Sequence, residues 1–203
     1  MQSNVEKSNK ALFIQRVLAY VVDVFIVTMI ASLVATPFID QNAVDKLNDS
    51  AASVIEDYVN GKIDENTYLK EAMGLSYQIA KKTGVSSLIT IFFGILYFIL
   101  FQFYNKGQTI GKRFLKIKVV SDDGELTMNQ LVFRALIINS ILLQMIMMTL
   151  ITFGTRDIYT SVAVVIEFLQ YSIILISAFM IMFNRSGKGL HDFVTHTKVV
   201  RIV

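Results

Sequence analysis

Four blocks of apolar residues divide the chain, and each is long enough to cross a bilayer as a helix. They cover 11–35, 85–103, 131–152 and 159–183. About 20 apolar residues are enough to cross about 30 Å of hydrocarbon. The pattern therefore predicts an all-α membrane protein with four transmembrane helices. The first block is not typical of a cleaved signal peptide, because it carries Arg16 and Asp23 and exceeds the usual length of a signal core.

The segment between the first two blocks, 40–84, is polar but carries apolar residues at helical spacing. Asn60-Gly61 is a turn signal near its middle. The pattern predicts two amphipathic helices joined by a tight turn, with a loose polar loop as the alternative.

Two short stretches alternate in polarity and are rich in β-branched residues, which favour strands. They are 114–120, in the connection before the third block, and 194–202, in the C-terminal tail. We expect both to be extended and to pair as a small cytoplasmic sheet.

The positive charges indicate the orientation in the membrane. Of the 19 lysines and arginines, 13 lie in the N-terminal segment, the connection after the second block, the C-terminal tail and the starts of the first and third blocks. Because cytoplasmic loops are enriched in these residues, we expect both termini inside and the 40–84 insertion outside. The composition, with 54% hydrophobic and only 17% charged residues, is also typical of a membrane protein. The absence of cysteine excludes disulfides and zinc–thiolate sites.

A degenerate repeat relates the two halves of the membrane part. The first and third blocks begin through Arg16-Val-Leu-Ala and Arg134-Ala-Leu-Ile. The second and fourth are followed by GKRFLKIKVV, 111–120, and GLHDFVTHTKVV, 189–200. Two hairpins of the same orientation imply a parallel repeat. Chance similarity of short apolar strings is the alternative.

Asp23 and Arg16 are the strongest functional signal, because ionisable residues within a membrane helix are costly and usually functional. They lie two turns apart on one face. One interpretation is a structural pair, with Arg134 or a backbone carbonyl as a further partner. The other is a titratable site for a cation or a proton. Its candidate neighbours are Tyr20, Asn139, Gln144 and Glu167, the last either sharing the polar centre or hydrogen-bonded in the bundle.

Other motifs are weaker. The string NKGQTIGKRF, 105–114, lacks the spacing of a phosphate loop. Its cations are either an ordinary basic turn or a site for anionic lipid headgroups formed by Lys112, Arg113, Lys116 and Arg134. His191 and His196 are five residues apart, which does not favour a metal site with Asp192. We expect no enzyme activity, no metal, no cofactor and no nucleic-acid partner.

Together these features resemble the RDD family of bacterial membrane proteins, which is named for one arginine and two aspartates. Arg16, Asp23 and Asp192 match those positions. The string GQTIGKRFLKIKVV and the Gly-Leu-His-Asp segment match the other signatures of the family. They contribute Gly107, Gln108, Thr109, Gly111, Lys112, Gly189 and His191. The resemblance covers the membrane part, not 40–84, and the chain departs from the family pattern directly after Asp192, with Phe193-Val-Thr-His.

The resemblance implies a location in the bacterial plasma membrane and a transport function, since some members are associated with monovalent cation/proton antiport. We therefore expect a small transporter that exchanges Na⁺, Li⁺ or K⁺ for protons at Asp23, with Arg16 as its partner. Four helices enclose little volume, so such a transporter would need a homodimer. The alternative is a non-transporting adaptor that docks proteins or anionic lipid.

Overall fold

Helices make up most of the computed structural model, which describes residues 10–202. Three of them are long and apolar enough to cross a membrane. The first, α1, covers Phe13–Ala35 and continues as a 3₁₀ turn over Thr36–Phe38. The second, α4, covers Gly84–Tyr104, and the third, α8, covers Arg156–Phe183. These agree with three of the four predicted spans, although α8 begins three residues earlier, where Thr155 caps it.

The predicted third span, 131–152, is not one continuous helix. It consists of α6, Met128–Ile138, and α7, Ile141–Phe153, which meet at an angle of 63°. The break lies at Asn139 and Ser140, and Ser140 adopts a left-handed backbone with φ of 53°. A residue in that conformation interrupts the helical hydrogen-bond ladder, and Asn and Ser both compete with it through their side chains. Because the residues on both sides of the break are apolar, the hydrophobic pattern does not indicate where the helix is interrupted.

The insertion forms the expected helical hairpin. Its helices are α2, Gln41–Val59, and α3, Glu65–Lys82, with Gly61 at φ of +69° in the turn between them. Asp40 and Asp64 cap the two helices by accepting backbone N–H groups three residues on. The rings of Tyr58 and Tyr68 stack across the hairpin with centroids 4.6 Å apart.

The hairpin packs against the start of α8 through α3. Tyr77 contacts Tyr159 edge to face, with ring centroids 5.3 Å apart. Arg156 donates to the backbone oxygen of Lys70 at 3.2 Å, and its guanidinium lies against Gly74. The hairpin is therefore attached to the membrane helices through named contacts.

Two short strands form an antiparallel pair at the end of the bundle where α1 begins. They are β1, Ile117–Ser121, and β2, Thr197–Arg201, with Val119 opposite Val199. Lys10 adds an isolated bridge to Val200. The predicted pairing is present, but both strands start later than expected, because five-residue helices precede them. These helices are α5, Ile110–Phe114, and α9, Leu190–Val194.

The two helix–turn–strand units, 110–121 and 190–201, repeat each other in detail. Lys116 and His196 occupy the same position in the two units and have left-handed φ values of 53° and 49°. Gly107 and Gly187, which precede the units at matching positions, also have positive φ. The local similarity read from the sequence is therefore a structural repetition in this part of the chain.

One stripe of α1 is buried against the rest of the protein, with a period of four residues. It consists of Ala19, Asp23, Val27, Ala31 and Ala35. Small residues on a membrane helix allow a neighbouring backbone to come close. Asp23 is the one charged residue of this stripe, and it therefore lies at the packed side of α1, not the lipid side.

Candidate functional site

Asp23 is fully buried and accepts hydrogen bonds from three groups. Tyr97 Oη donates to Oδ1 at 2.7 Å, the Gly111 N–H donates to Oδ1 at 2.7 Å, and Thr109 Oγ1 donates to Oδ2 at 2.5 Å. Lys112 Nζ lies 3.8 Å from Oδ2. A carboxylate has about four lone-pair sites. The partners of Asp23 therefore leave its oxygens little capacity for a further ligand.

The local sequence explains how α5 reaches this carboxylate. Thr109 caps α5, and its hydroxyl also accepts from the Lys112 N–H. Gly111 has no side chain, so the backbone of α5 lies directly on Asp23, and a Cβ atom there would be 2.8 Å from Oδ1. Tyr97 comes from the part of α4 that is π-helical, Leu96–Phe101. A π-helical turn often marks a functional position in a helix.

Asp192 forms a second buried centre on α9. Arg16 Nη1 donates to Oδ2 at 2.6 Å, Arg134 Nη1 donates to Oδ1, and the Gly189 N–H donates to Oδ2 at 3.0 Å. Arg134 also donates to Thr197 Oγ1 at 2.8 Å, and Arg16 donates weakly to the Val199 carbonyl. One carboxylate therefore joins the first turn of α1 and the middle of α6 to the second strand unit.

Burial and the neighbouring arginines shift the pKa values of two residues on α9. Burial raises the pKa of Asp192, but Arg134 and Arg16 outweigh it and hold that pKa well below its usual range. Burial, aided by Arg134, lowers the pKa of His191 to about 3. His191 is therefore neutral at pH 7, and the 3.5 Å distance between its Nε2 and Asp192 Oδ1 is not a charged pair. Its Nδ1 hydrogen-bonds with Ser177 Oγ at 2.8 Å.

The family model described as the RDD family matches residues 10–196. The chain belongs to the RDD family. The match covers the four apolar segments, the hairpin between the first two, the first strand unit and the helix α9 of the second, and members of the family are membrane proteins. No curated protein and no solved structure matched the chain.

Arg16, Asp23 and Asp192, which the sequence comparison matched to the name-giving positions of the RDD family, do not all contact one another in this protein. Arg16 pairs with Asp192, whereas Asp23 has Lys112 as its cation, so the expected pairing of Asp23 with Arg16 is wrong for this structure. Side chains on a helix lean toward its N-terminus. Arg16, which lies N-terminal to Asp23, therefore extends away from it and toward α9 and the sheet.

The remaining candidate ion ligands fall into two separate places. Tyr20 and Asn139 line a small cavity with Arg16. Gln144 and Glu167 line a wider groove between α4, α7 and α8, together with Thr90 and Gln170. The structure thus does not place Glu167 in one polar centre with Asp23.

The glycines and polar residues of the family motifs shape the two strand units. Gly107 has φ of +87°, and its carbonyl accepts from the Val119 N–H at 3.0 Å. Gln108 Nε2 donates to the Ile117 carbonyl at 3.1 Å. Gly189 caps α9, as Thr109 caps α5. Gly107 and Gln108 therefore bind β1, and Gly189 forms the N-terminus of α9.

Two of the four cations proposed for lipid headgroups are not at the surface. Arg134 is buried between Asp192 and Thr197, and the Lys112 side chain is 16% exposed beside Asp23. Arg113 and Lys116 are exposed, next to an exposed Phe114. Lys112 and Arg134 each lie beside a buried carboxylate, and this opposite charge offsets the cost of burying them.

Tyr97, Ser177 and Thr197 belong to the two centres but did not stand out in the sequence. Tyr97 and Ser177 lie within long apolar segments, where a single hydroxyl is common. Thr197 lies in a strand, where its β-branched shape suffices to explain it. Asp23 was an indirect signal for Tyr97, because a buried carboxylate in an apolar helix requires hydrogen-bond donors from the neighbouring helices.

Proposed function

We propose that this RDD protein is a secondary transporter of the bacterial plasma membrane that exchanges a monovalent cation for protons and carries out no catalysis. It crosses the membrane four times, with α6 and α7 together as the third span and both termini in the cytoplasm. The strand units support this arrangement. Each follows a long helix, α4 or α8, and the two pair in one sheet, so both helices end on the same side.

The observation that carries the proposal is the position of Glu167. It lies near the middle of α8, roughly 16 Å along the helix from Arg156. Its groove has a volume of about 340 Å³ and contains polar side chains from three helices. These are Ser86, Ser87, Thr90, Gln144 and Gln170. A carboxylate with surrounding hydroxyl and amide oxygens suits a hard cation such as Na⁺.

Two hydroxyl groups in this groove, those of Ser87 and Thr90, have lone pairs available for a ligand. Thr90 Oγ1 donates to the Ser86 carbonyl at 2.9 Å, and Ser87 Oγ donates to the Thr83 carbonyl at 3.3 Å. Each hydroxyl hydrogen is used within α4, so the oxygen can accept from or coordinate a ligand. Asp23 differs, because its own oxygens already have partners. Glu167 is therefore the better candidate for a group that carries either a proton or a cation.

The exposure of Glu167 also favours a homodimer. It lies on a face of α8 that is largely uncovered within one chain, beside the exposed Phe168 and Tyr171. A carboxylate facing hydrocarbon is costly. A second copy against this face would enclose the groove.

The experiment is cation/proton exchange in proteoliposomes, with a pH gradient imposed and Na⁺, Li⁺ or K⁺ supplied in turn. We expect wild-type exchange to be lost in Glu167→Gln, which keeps the shape but cannot carry a charge. Asp157→Asn, which alters a carboxylate in the first turn of the same helix, is the control and should exchange normally. Exchange that persists in a folded Glu167→Gln protein would contradict the proposal.

Absence of exchange in the wild type would favour the adaptor role instead. That role draws on Arg113, Phe114 and Lys116, which form an exposed basic and aromatic patch at the sheet end of the bundle. Such a patch suits the headgroup region of an anionic membrane. Reversal of the charges at Arg113 and Lys116 should leave exchange unchanged if the protein is a transporter.

A further inference from the structure

A small cavity lies between the two buried carboxylate centres, and its polar walls are dominated by cations. Its volume is about 70 Å³. Arg16, Lys112 and Arg134 line it, with Tyr20, Gln102 and Asn139. The guanidinium and ammonium groups come from α1, α6 and α5, so three elements contribute one positive charge each.

The cations of the cavity outnumber the carboxylates that bind them. Asp192 forms ion pairs with both Arg16 and Arg134, and Asp23 forms one with Lys112. His191 also lines the cavity but is neutral, because burial keeps its pKa far below 7. Three cations against two carboxylates leave one positive charge in excess. An uncompensated charge that is buried is costly, and a bound counter-ion removes that cost.

Two polar atoms at the cavity have no partner. Within residues 10–202, the buried side-chain atoms that lack a hydrogen bond are Arg16 Nε and Asn139 Oδ1, and both residues line the cavity. The Arg16 side chain is 8% exposed, and its two terminal nitrogens already donate to Asp192 and Val199. The Nε–H group of Arg16 is thus a donor without an acceptor. The Asn139 amide can turn so that its NH₂ group replaces Oδ1 as the unpaired group.

We infer that this cavity binds one small monovalent anion, of the size of chloride or formate, between Arg16, Lys112, Arg134 and Asn139. The excess of one charge sets the valence, and the volume sets the size. A lipid phosphate has the same charge chemistry but is attached to a large molecule, and the cations here are at most 16% exposed. The source is therefore a free ion from solution. This inference does not depend on cation exchange at Glu167.

Lys112 makes the binding sensitive to pH. Burial lowers its pKa to about 8; Asp23 and Asp192 oppose that shift, while Arg134 and Arg16 add to it. Below that pH Lys112 is charged and the excess positive charge is present. Above it Lys112 loses its proton and the excess disappears. Anion affinity should therefore fall as the pH rises through about 8, and a bound anion should raise the pKa of Lys112 by linkage.

The test is thermal unfolding of the purified full chain in detergent, with sodium gluconate replaced stepwise by sodium chloride or formate at constant ionic strength. Gluconate is too large for the cavity. We expect chloride and formate to raise the unfolding temperature in a saturable way at pH 7, and much less at pH 9.5. Anionic lipid added to the gluconate sample distinguishes the other source, and we expect it not to replace chloride.

Two variants and a control separate this site from a general salt effect. Asn139→Leu removes the amide at similar volume, and Ala135→Val narrows the cavity without altering a charge; each should weaken the chloride response by about tenfold. Gln144→Leu, in the Glu167 groove, should keep the full chloride response even where it impairs exchange. An equal response in all three variants, or an equal effect of gluconate and chloride, would overturn the inference. A wild type with no anion response would leave water as the content of the cavity and refute it.

Discussion

Asp23 and Asp192 are both fully buried, yet they bind different kinds of partner. Asp23 accepts mainly from neutral donors, two hydroxyls and one backbone N–H, with Lys112 further away. Asp192 lies between two arginines. A buried ion pair adds little net stability over an apolar pair, but removal of one partner is costly. A neutral substitution at Asp192 would therefore leave two buried arginines without a counter-charge, whereas one at Asp23 would mainly affect hydrogen bonds from neutral donors.

Asp192→Asn should be strongly destabilising, because it leaves Arg16 and Arg134 without a counter-charge. We expect a loss of about 3–5 kcal/mol in the free energy of unfolding. The matched control is Asp57→Asn, whose partner Lys62 is solvent-exposed, and it should change stability by less than about 1 kcal/mol. Thermal unfolding in detergent at pH 7 measures both. Similar effects of the two substitutions would show that the arginine pair does not depend on Asp192.

At the scale of elements, the two short helices are attached to the long ones by carboxylates in opposite ways. For α5, the carboxylate lies on the long helix α1, as Asp23, and the short helix presents its backbone and Lys112. For α9, the short helix carries the carboxylate, Asp192, and the long helices present arginines. Lys112 and Asp192 occupy matching positions of the two repeated units. In both units the short helix is thus bound to the membrane helices by a carboxylate and a cation, but the short helix supplies the cation in α5 and the carboxylate in α9.

Gly111→Ala should disrupt the contact between α5 and α1, because the added Cβ atom would lie 2.8 Å from Asp23 Oδ1 and closer still to the α1 backbone. We expect a loss of about 1–3 kcal/mol, as for other overpacked sites. Gly94→Ala is the matched control, since its Cβ would meet no atom within 4 Å. It should be neutral or stabilising by up to about 1 kcal/mol. Unfolding temperatures of the two variants decide the matter, and equal values would contradict the close approach of α5.

The apolar blocks, the hairpin and the strand pair could be predicted from the sequence, because each depends on a local pattern of burial. The partner of Arg16 could not. Seven residues separate it from Asp23, whereas 176 separate it from Asp192, and no periodicity reports on contacts of that kind. The bend at Ser140 was missed for another reason: the residues on both sides are equally apolar, so hydropathy is the same for a straight or a broken helix.

At the scale of the whole molecule, the hairpin and the sheet lie at opposite ends of α1. The hairpin follows the C-terminal end of that helix, and the sheet contacts its beginning through Lys10 and Ala11. If α1 crosses the membrane, the two must face different compartments. The excess of lysines and arginines at the sheet end is the reason why the proposed orientation has that end in the cytoplasm.

Single cysteines in this cysteine-free chain test the orientation directly. Ser53→Cys in α2 should react with an impermeant thiol reagent in intact cells, and Asp123→Cys, in the exposed turn after β1, should react only after lysis. Labelling of Asp123→Cys but not Ser53→Cys in intact cells would reverse the proposed topology.

The contact between Arg16 and Asp192 has a consequence for how the protein is made. A ribosome produces the chain from its N-terminus, so α1 and α6 are complete before the carboxylate that neutralises their arginines exists. Until Asp192 emerges, both guanidinium groups lack the carboxylate that they contact in the folded protein. A nascent chain that stops short of Asp192 keeps this charge defect permanently. The contacts of α1 and α6 with α9 can therefore form only after both of those helices have been made.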